Sequence, residues 1–542
     1  MSRDRDHQHR RARWGAWWLD LGIRFGPELL ALGLSWWMLA QRKYLLVDDA
    51  YISFRYAANF ARGHGLVWNV GIPVEGYTCL LWVLLLLCFA RLGIDLTVPS
   101  VLLSMLFGLA CLRLQRNVLR HSGLEAEVGA GRVLPCLLLA SVPSFAHAMT
   151  SGMEETCFAF VVTAALHLLV LGRSRPAMRG WAAAAFATAC LIRPEGPLVA
   201  AIALTTELVA GGSLSFSRLK QLLLPGLAVG AVVAAHMLLR RSYYGYWFPN
   251  TFYAKVIFGQ VTLERGTHHV VGFVLAGGYL LFFGLPSKHT PVLRPWLVHG
   301  YALTVVYCTY LLLVGGDHPH WYRFYVTLLP LPLLGTALRF WAWWRAAARH
   351  WSELARTSFS LLAQVACGAM IWFQGLPFSE AVEPIVGFIS PQIEKLMHDA
   401  DRFFDQVPDD SFCAVAAIGH VGYRHLDLHV LDTWGLTDTH IAHKDVAPNA
   451  KFGHDKQDFA YVAAMKPDYL YILVPRPAPP MPGYDLCWPS ETPPGAVYRR
   501  TTALAPSDES LGVPASRKRR LAMPPPCQPP HFASTQLATP PL

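Results

Sequence analysis

The chain has 542 residues, of which 53% are hydrophobic and only 15% are charged. Because a soluble globular protein carries about 25% charged residues, this composition excludes an ordinary soluble protein and indicates a polytopic α-helical membrane protein. The net charge of +10 does not indicate a nucleic-acid partner, since the basic residues cluster between apolar segments, as in the cytoplasmic loops of membrane proteins.

The N-terminus is basic and precedes the first apolar stretch. We assign residues 1–20 to a cytoplasmic N-terminal segment, and the mostly apolar stretch from Trp14 to Ala40 contains the first membrane helix. No small-residue cleavage site follows, which predicts an uncleaved anchor. The arginines that place this end in the cytoplasm are Arg3, Arg5, Arg10, Arg11 and Arg13.

Two adjacent carboxylates, Asp48 and Asp49, directly follow the first apolar stretch. Carboxylates at the mouth of a membrane helix are costly to desolvate, so we expect a functional role; the alternative is an acidic loop outside the bilayer. The aromatic, amphipathic segment Tyr51–Arg62 predicts a helix in the membrane interface. After the Gly-rich loop Gly63–Thr78, the apolar segment Leu80–Phe89 is too short to span comfortably, which predicts a second juxtamembrane helix.

Ten further apolar segments are predicted to cross the membrane, which gives about eleven spans in a transmembrane domain of residues 21–377. They are Val98–Leu114, Val133–Met149, Cys157–Leu171, Trp181–Ile192, Pro197–Ala210, Leu222–Leu239, Val270–Pro286, Trp296–Val314, Phe324–Phe340 and Phe359–Phe373. In this topology five basic loops all face the cytoplasm, as the positive-inside rule requires, and the first loop faces outward.

The C-terminal part differs in character. Residues 378–474 contain short strand-like runs between turns, which predicts a small α/β domain on the outer, periplasmic face. Residues 475–542 are rich in Pro, Ser and Arg, which predicts a mostly disordered tail. Cys487 and Cys527 could form a disulfide if their region lies in an oxidising compartment.

Charged residues from loops far apart in sequence converge on the outer face in this topology. Such convergence favours a catalytic cleft at the membrane interface over a purely structural protein. These residues are Asp48, Asp49, Arg55, Glu75, Glu154, Glu155, Arg193, Glu195, Lys255, Asp317, His318, His320 and Arg323.

Four sets of outer segments resemble the polyprenyl-phosphate-sugar-dependent glycosyltransferases of the GT-C superfamily. They are residues 48–55 with 63–69 and 74–78, residues 150–155, residues 193–196, and residues 247–255 with 315–317 and 323–324. The pattern is most similar to the terminal β-(1→2)-arabinofuranosyltransferase branch, which segments 431–438 and 466–469 also fit. The resemblance covers roughly residues 40 to 475 and implies a GT-C-like fold.

Glycosyl transfer passes through an oxocarbenium-like transition state and usually needs a carboxylate to accept the proton of the acceptor hydroxyl. We expect Asp48 or Asp49 to be this base, which is also the role that the resemblance implies for the first-loop aspartate. A lipid-phosphate donor carries its own leaving group, so cations are needed to hold the phosphate, and Lys255 is the best candidate. The other predicted donor- and substrate-binding residues are Arg55, Glu75, Glu154, Arg193, Glu195, Asn250, Tyr253, His318 and Arg323.

Several of these residues also fit a structural interpretation. Lys255 or Arg323 could be an interfacial anchor whose charged end reaches the headgroups. The segment Arg193–Gly196 could be an ordinary helix stop. Glu154 and Glu155 could begin a solvated helix, where acids favour the helix dipole.

Asp317 is the third predicted catalytic residue, because the glycines Gly315 and Gly316 before it allow the backbone to approach a ligand closely. With His318 and His320 it also resembles a weak metal site, so a divalent cation is possible, although no cofactor is certain. The metal ligands are left open, since no second cluster supplies the remaining ligands.

The sequence therefore predicts a multi-pass bacterial inner-membrane glycosyltransferase whose active site lies on the periplasmic face. By the resemblance, it transfers arabinofuranose from a polyprenyl phosphate to a glycan or glycolipid of the cell envelope. Two alternatives are a lipid-linked sugar flippase, which the lack of repeats and the one-sided charges disfavour, and a polysaccharide polymerase or ligase.

Overall fold

The computed structural model describes residues 25–37, 46–210, 216–257, 259–275, 277–286, 291–316, 322–352, 400–446, 455–473, 480–489 and 495–505, with a few isolated positions. Within them the chain forms a helical bundle followed by a small α/β domain. The predicted N-terminal segment 1–20 lies outside the described residues, as does the predicted span Phe359–Phe373 except for one isolated position.

The first outer loop contains the two predicted juxtamembrane helices. Helix α1 occupies residues 25–37, α2 occupies Asp48–Ala61 and α3 occupies Leu80–Ala90. Helix α2 begins at the paired aspartates, because negative charge is favourable at the N-terminal end of a helix. Most of its side chains are buried, so it is packed within the protein rather than lying free on its surface.

Helices α4 to α15 continue the bundle. Their bounds are Thr97–His121, Glu125–Val128, Leu134–Ser141, Pro143–Ala148, Glu155–Leu171, Met178–Ile192, Gly196–Val209, Phe216–Tyr244, Asn250–Lys255, Gln260–Leu275, Arg294–Val314 and Pro330–Ala347. By length and composition, three helices among the described residues could cross a bilayer, at Thr97–His121, Arg218–Tyr244 and Pro291–Val314, and five shorter apolar helices accompany them.

Three segments that were predicted to cross the membrane consist of two helical pieces each rather than of one continuous helix. The segment Val133–Met149 is broken between α6 and α7, where Val142 has an extended backbone with ψ of 121°. The break arises because the residue before a proline, here Pro143, is sterically disfavoured in the helical region. In the other two segments, 3₁₀ turns replace part of the α-helix, at Gly278–Gly284 within Val270–Pro286 and at Arg323–Leu328 in Phe324–Phe340.

The C-terminal α/β domain, called the outer domain after its predicted location, is built on a five-stranded sheet with the strand order β2-β1-β3-β5-β4. Strand β1 pairs in parallel with β2 and β3, and the hairpin of β4 and β5 adds antiparallel to β3. The parallel pair β1 and β2 is joined by a crossover helix, α16, as parallel strands require. The strands β1 to β5 are Phe412–Val415, His429–Asp432, Tyr469–Leu473, Tyr484–Pro489 and Gly495–Arg500, and the helices α16 to α18 are Ile418–Arg424, Thr439–Ala442 and Phe459–Ala464.

The outer domain extends beyond its predicted end. Strands β4 and β5 lie within residues 475–542, so the prediction of disorder is wrong for this part of the tail. Residues 496–498 are buried in the sheet, and Arg500 forms a buried ion pair with Asp468, with Nη2 2.6 Å from Oδ1. Cys487 in β4 is disulfide-bonded. Because this segment is rich in proline and arginine, its composition predicted disorder although it contains two short strands.

Helix α16 of the outer domain packs closely against helix α2. Two glycines of α16 allow this approach: a Cβ at Gly419 would overlap the carbonyl oxygen of Asp48, and a Cβ at Gly422 would lie 2.4 Å from the Trp68 ring. Close approach of two backbones requires residues without side chains. The outer domain is therefore in direct contact with the N-terminal half of α2.

Candidate active site

Asp48 at the start of α2 binds the outer domain. Its Oδ2 accepts a hydrogen bond from the backbone N–H of Gly419 at 2.9 Å, and its Oδ1 accepts one from His420 at 2.8 Å. Burial raises the pKa of Asp48 to about 6, although these two N–H groups favour the charged form. Both oxygens of Asp48 thus hold the first turn of α16.

Asp49 has different surroundings, although it is the next residue. Its Oδ2 lies 3.0 Å from Nη2 of Arg323, and its side chain is 30% exposed. Arg323 is only 5% exposed and follows Tyr322, whose φ of 54° is unusual for a residue with a side chain. Strained backbone of this kind occurs preferentially at functional sites. Asp49 therefore combines a partly accessible carboxylate with an adjacent fixed cation.

A buried charge cluster lies next to this pair. Arg193 donates from Nη1 to Glu154 at 2.8 Å, and from Nε and Nη2 to both oxygens of Glu195 at 3.1 and 3.2 Å. The guanidinium lies over the ring of Phe324, 4.4 Å from its centroid, and Phe324 directly follows Arg323. Glu154, Arg193 and Phe324, from three distant predicted segments, are thus brought together, but two carboxylates already neutralise Arg193.

Glu155, beside this cluster, was not among the predicted substrate-binding residues. Its Oε2 accepts a hydrogen bond from Ser151 at 2.8 Å. One buried oxygen of Glu154 and one of Glu155 have no hydrogen-bond partner within the described residues. Buried carboxylate oxygens without a partner are rare in folded proteins and are expected to bind a proton, an ion, water or a substrate hydroxyl.

Arg55 does not have the predicted role in phosphate binding. It is 1% exposed, and all five of its N–H groups have protein acceptors. The acceptors are the carbonyl oxygens of Trp68, Gly422, His425 and Leu428 and the side-chain oxygen of Asn69. Because no donor is left for a ligand, Arg55 ties α2 to the outer domain instead.

Glu75 is buried and paired with Arg240, a residue that the sequence analysis missed. Nη2 of Arg240 lies 3.2 Å from Oε1 of Glu75, and its Nε donates to the other oxygen. Burial raises the pKa of Glu75, and the hydrogen-bonded guanidinium acts in the opposite direction. The available signal was the position of Arg240 at the outer end of a predicted span, where cations are depleted.

The residues predicted near α12 divide into two groups. The side chain of Asn250 donates to the carbonyl oxygens of Gly435 at 2.8 Å and Leu436 at 3.1 Å, so it holds the outer domain. The ring of Tyr253 stacks on His443 with centroids 4.3 Å apart. Lys255 is half-buried at the end of α12 and has no carboxylate partner in the described part of the chain.

The predicted residues Asp317, His318 and His320 lie outside the described residues. Before them, Gly315 and Gly316 have φ of 88° and 74°, which is the left-handed conformation that glycine permits. Among the residues that the structure describes, no group of three His, Cys, Asp or Glu side chains could hold a metal ion.

Comparison with known proteins shows one similar fold and one similar sequence. A crystal structure of ArnT from Cupriavidus metallidurans bound to undecaprenyl phosphate superimposes with a TM-score of 0.56 at 14% identity, over 88% of this chain and 98% of ArnT. A terminal β-(1→2)-arabinofuranosyltransferase of Mycobacterium tuberculosis is 29% identical over 231 residues, which are 40% of this chain and 36% of that relative.

The outer domain matches a further family. Residues 389–517 match a family described as a domain of unknown function, DUF8728. The match extends past residue 474, as strands β4 and β5 do. The chain is thus a polytopic helical membrane protein with the GT-C fold of ArnT, similar in sequence to a terminal arabinofuranosyltransferase, which confirms the resemblance drawn from its motifs.

Proposed function

We propose that this protein transfers a sugar from a polyprenyl phosphate to a glycan or glycolipid of the cell envelope, with Asp49 as the general base. The observation that carries this proposal is the partly exposed carboxylate of Asp49 beside Arg323, on a fold shared with a protein that binds undecaprenyl phosphate. Asp48 is less suited to the role, because two backbone N–H groups occupy both of its oxygens.

The proposed reaction needs few groups. Asp49 accepts the proton of the acceptor hydroxyl while the oxygen of that hydroxyl forms a bond to the anomeric carbon of the donor sugar. The bond between that carbon and the phosphate oxygen breaks, and its electron pair leaves with the lipid phosphate. Arg323, which is paired with the proposed base, and Lys255, which has no carboxylate partner among the described residues, are the proposed cations that stabilise the departing phosphate.

Arabinofuranose is the proposed donor sugar, on the sequence similarity to the mycobacterial transferase. That relative is matched over only 36% of its length, so we do not infer the acceptor of this protein from it. The proposed location is a bacterial inner membrane, with the N-terminus in the cytoplasm and the outer domain in the periplasm. The disulfide at Cys487 supports this orientation, because disulfides persist in oxidising compartments.

The test compares two adjacent carboxylates. Purified parent protein, Asp49→Asn and Asp48→Asn would be supplied with radiolabelled polyprenyl-phosphate arabinofuranose and a cell-envelope glycan acceptor. Removal of a general base is expected to lower the transfer rate by about 10²–10⁴-fold in Asp49→Asn, with donor binding retained. A smaller loss is expected in Asp48→Asn. Full activity of Asp49→Asn would refute the assignment, and failure of the parent with every polyprenyl-phosphate sugar would refute the transferase function.

A further inference from the structure

A cavity of about 150 Å³ lies where the far end of α2 meets the outer domain. Arg62, just after α2, lines one side, and Arg424 and His425 at the end of α16 line another. Asp409 and Asp427, which precede β1 and β2, complete the polar lining, together with three aliphatic residues. None of these residues belongs to the candidate active site described above.

The lining is balanced in charge. The lining includes two guanidinium groups and two carboxylates, so their formal charges cancel and do not favour a phosphate or a metal ion. The side chains of Arg62, Asp427 and Arg424 are 47%, 62% and 54% exposed, so a ligand can reach them from water. Arg62 and Asp427 are 3.6 Å apart, which is too far for a direct hydrogen bond and leaves donors and acceptors for a ligand.

This combination fits a neutral, hydroxyl-rich ligand. A sugar ring offers hydroxyl groups that both donate and accept hydrogen bonds, and it offers C–H faces for aliphatic side chains. A lipid chain would need an apolar lining instead. Because pockets that enclose drug-sized ligands measure about 300–1,000 Å³, a cavity of this volume is suited to a single ring.

The cavity has a fixed distance from the candidate base. Helix α2 has 14 residues, and at 1.5 Å per residue it separates Asp49 from Arg62 by about 20 Å. Arg55 holds the floor of the cavity in place, since its guanidinium donates to the carbonyl oxygens of His425 and Leu428. A ligand in the cavity is therefore held at a set distance from the reaction.

We propose that this cavity is a remote subsite for the acceptor glycan, which holds one neutral sugar ring several units away from the reacting hydroxyl. The subsite rests on the proposed transferase function. It gives the outer domain a binding role: only acceptors long enough to reach from Asp49 to Arg62 engage it. Short acceptors react without it.

The test uses the full-length protein in nanodiscs, with polyprenyl-phosphate arabinofuranose as donor and two acceptors, a disaccharide and an octasaccharide of arabinofuranose. Asp427→Ala and Arg62→Ala are expected to raise KM for the octasaccharide about fivefold, as loss of one hydrogen bond of ordinary strength at a largely exposed side chain implies. Neither variant should change kcat, or KM for the disaccharide. The matched control is Asp485→Ala, because Asp485 is 61% exposed and also paired with an arginine, Arg499, at 3.0 Å.

Equal KM changes for both acceptors, or no change for the octasaccharide, would overturn the subsite while leaving the transferase function intact. If the parent transfers no sugar, the proposed function fails first, and the subsite is judged by equilibrium binding of the octasaccharide. Binding about fivefold weaker in Asp427→Ala than in Asp485→Ala would then support the subsite. Equal binding by the two variants, or no binding by the parent, would overturn it.

Discussion

The two faces of helix α2 use the same kinds of residue for opposite purposes. On the face toward α16, Asp48 and Arg55 have all their polar atoms in hydrogen bonds to the protein backbone or to Asn69. On the other face, Asp49 is partly exposed and paired with Arg323. Adjacent carboxylates therefore separate into one whose two oxygens bind the backbone of α16 and one that is partly exposed beside an arginine.

Helix geometry explains this separation. Asp48 and Arg55 are seven residues apart, which is close to two turns, so both side chains point to the outer domain. Asp49 is rotated by about 100° from Asp48 and points toward the 3₁₀ turn that carries Arg323. The difference between the two faces can be tested by substitutions on each.

The largest effect on folding is expected for Arg55→Ala. This variant leaves the buried carbonyl oxygens of Trp68, Gly422 and Leu428 without their charged donor, and each buried polar group that is left unsatisfied costs about 1–3 kcal/mol. Thermal unfolding of the purified protein would measure this loss of stability. The control, Arg62→Ala just after the same helix, removes an exposed ion pair worth about 0–1 kcal/mol; equal destabilisation by both variants would contradict the structural role of Arg55.

Arg323→Ala is expected to have the converse effect. Transfer activity should fall by about 10²–10³-fold, as for other groups that stabilise developing charge, while thermal stability should fall less than in Arg55→Ala, because water can solvate the partly exposed carboxylate of Asp49. Arg323→Lys keeps the positive charge and should recover part of the activity. If Arg323→Ala lowers the unfolding midpoint strongly but the folded variant keeps the specific activity of the parent, Arg323 has a structural role instead.

A moderate effect is expected for Gly419→Ala. The added methyl group would overlap the backbone of Asp48, and overpacking of this kind costs about 1–3 kcal/mol. Gly180→Ala is the control, since nothing lies within 4 Å of a Cβ at that helical position. The unfolding midpoints of the two variants would be compared with that of the parent, and an unchanged midpoint for Gly419→Ala would argue against the close contact of α2 and α16.

The smallest effect concerns pH. The pKa of Asp48 is raised to about 6 from an ordinary value near 3.8, so the folded protein binds a proton more tightly than the unfolded chain does. Its contribution to stability should therefore be greatest below about pH 4 and should decline as the pH rises to about 6. The difference in unfolding midpoint between the parent and Asp48→Asn, followed from pH 4 to 7, isolates this group; a constant difference would contradict the raised pKa.

Much of the fold was predictable because it depends on local patterns. Composition and hydropathy predict the membrane helices, and the amphipathic pattern after Asp49 predicts α2. The helix break at Val142 was harder to predict. Val142 and Pro143 lie inside an apolar run that is long enough for one span, and only the backbone preference of a residue before proline indicates two helices instead of one.

The candidate site was predictable in its members more than in its pairings. Asp49, Arg323, Glu154, Arg193 and Glu195 were all predicted on the outer face, and the structure brings them together. The sequence does not show that carbonyl oxygens more than 360 residues away accept three of the five hydrogen bonds that Arg55 donates. Pairs such as Glu75 with Arg240, 165 residues apart, likewise depend on tertiary contacts that no local pattern records.

The separation between Arg55 and Leu428, which is 373 residues, has a consequence for biosynthesis. Chains are made from the N-terminus, so α2 is complete long before the acceptors of its guanidinium exist. Until residue 428 emerges, Arg55 cannot hold α2 against the outer domain. Any nascent chain that stops short of β2 therefore carries the first-loop aspartates without this contact.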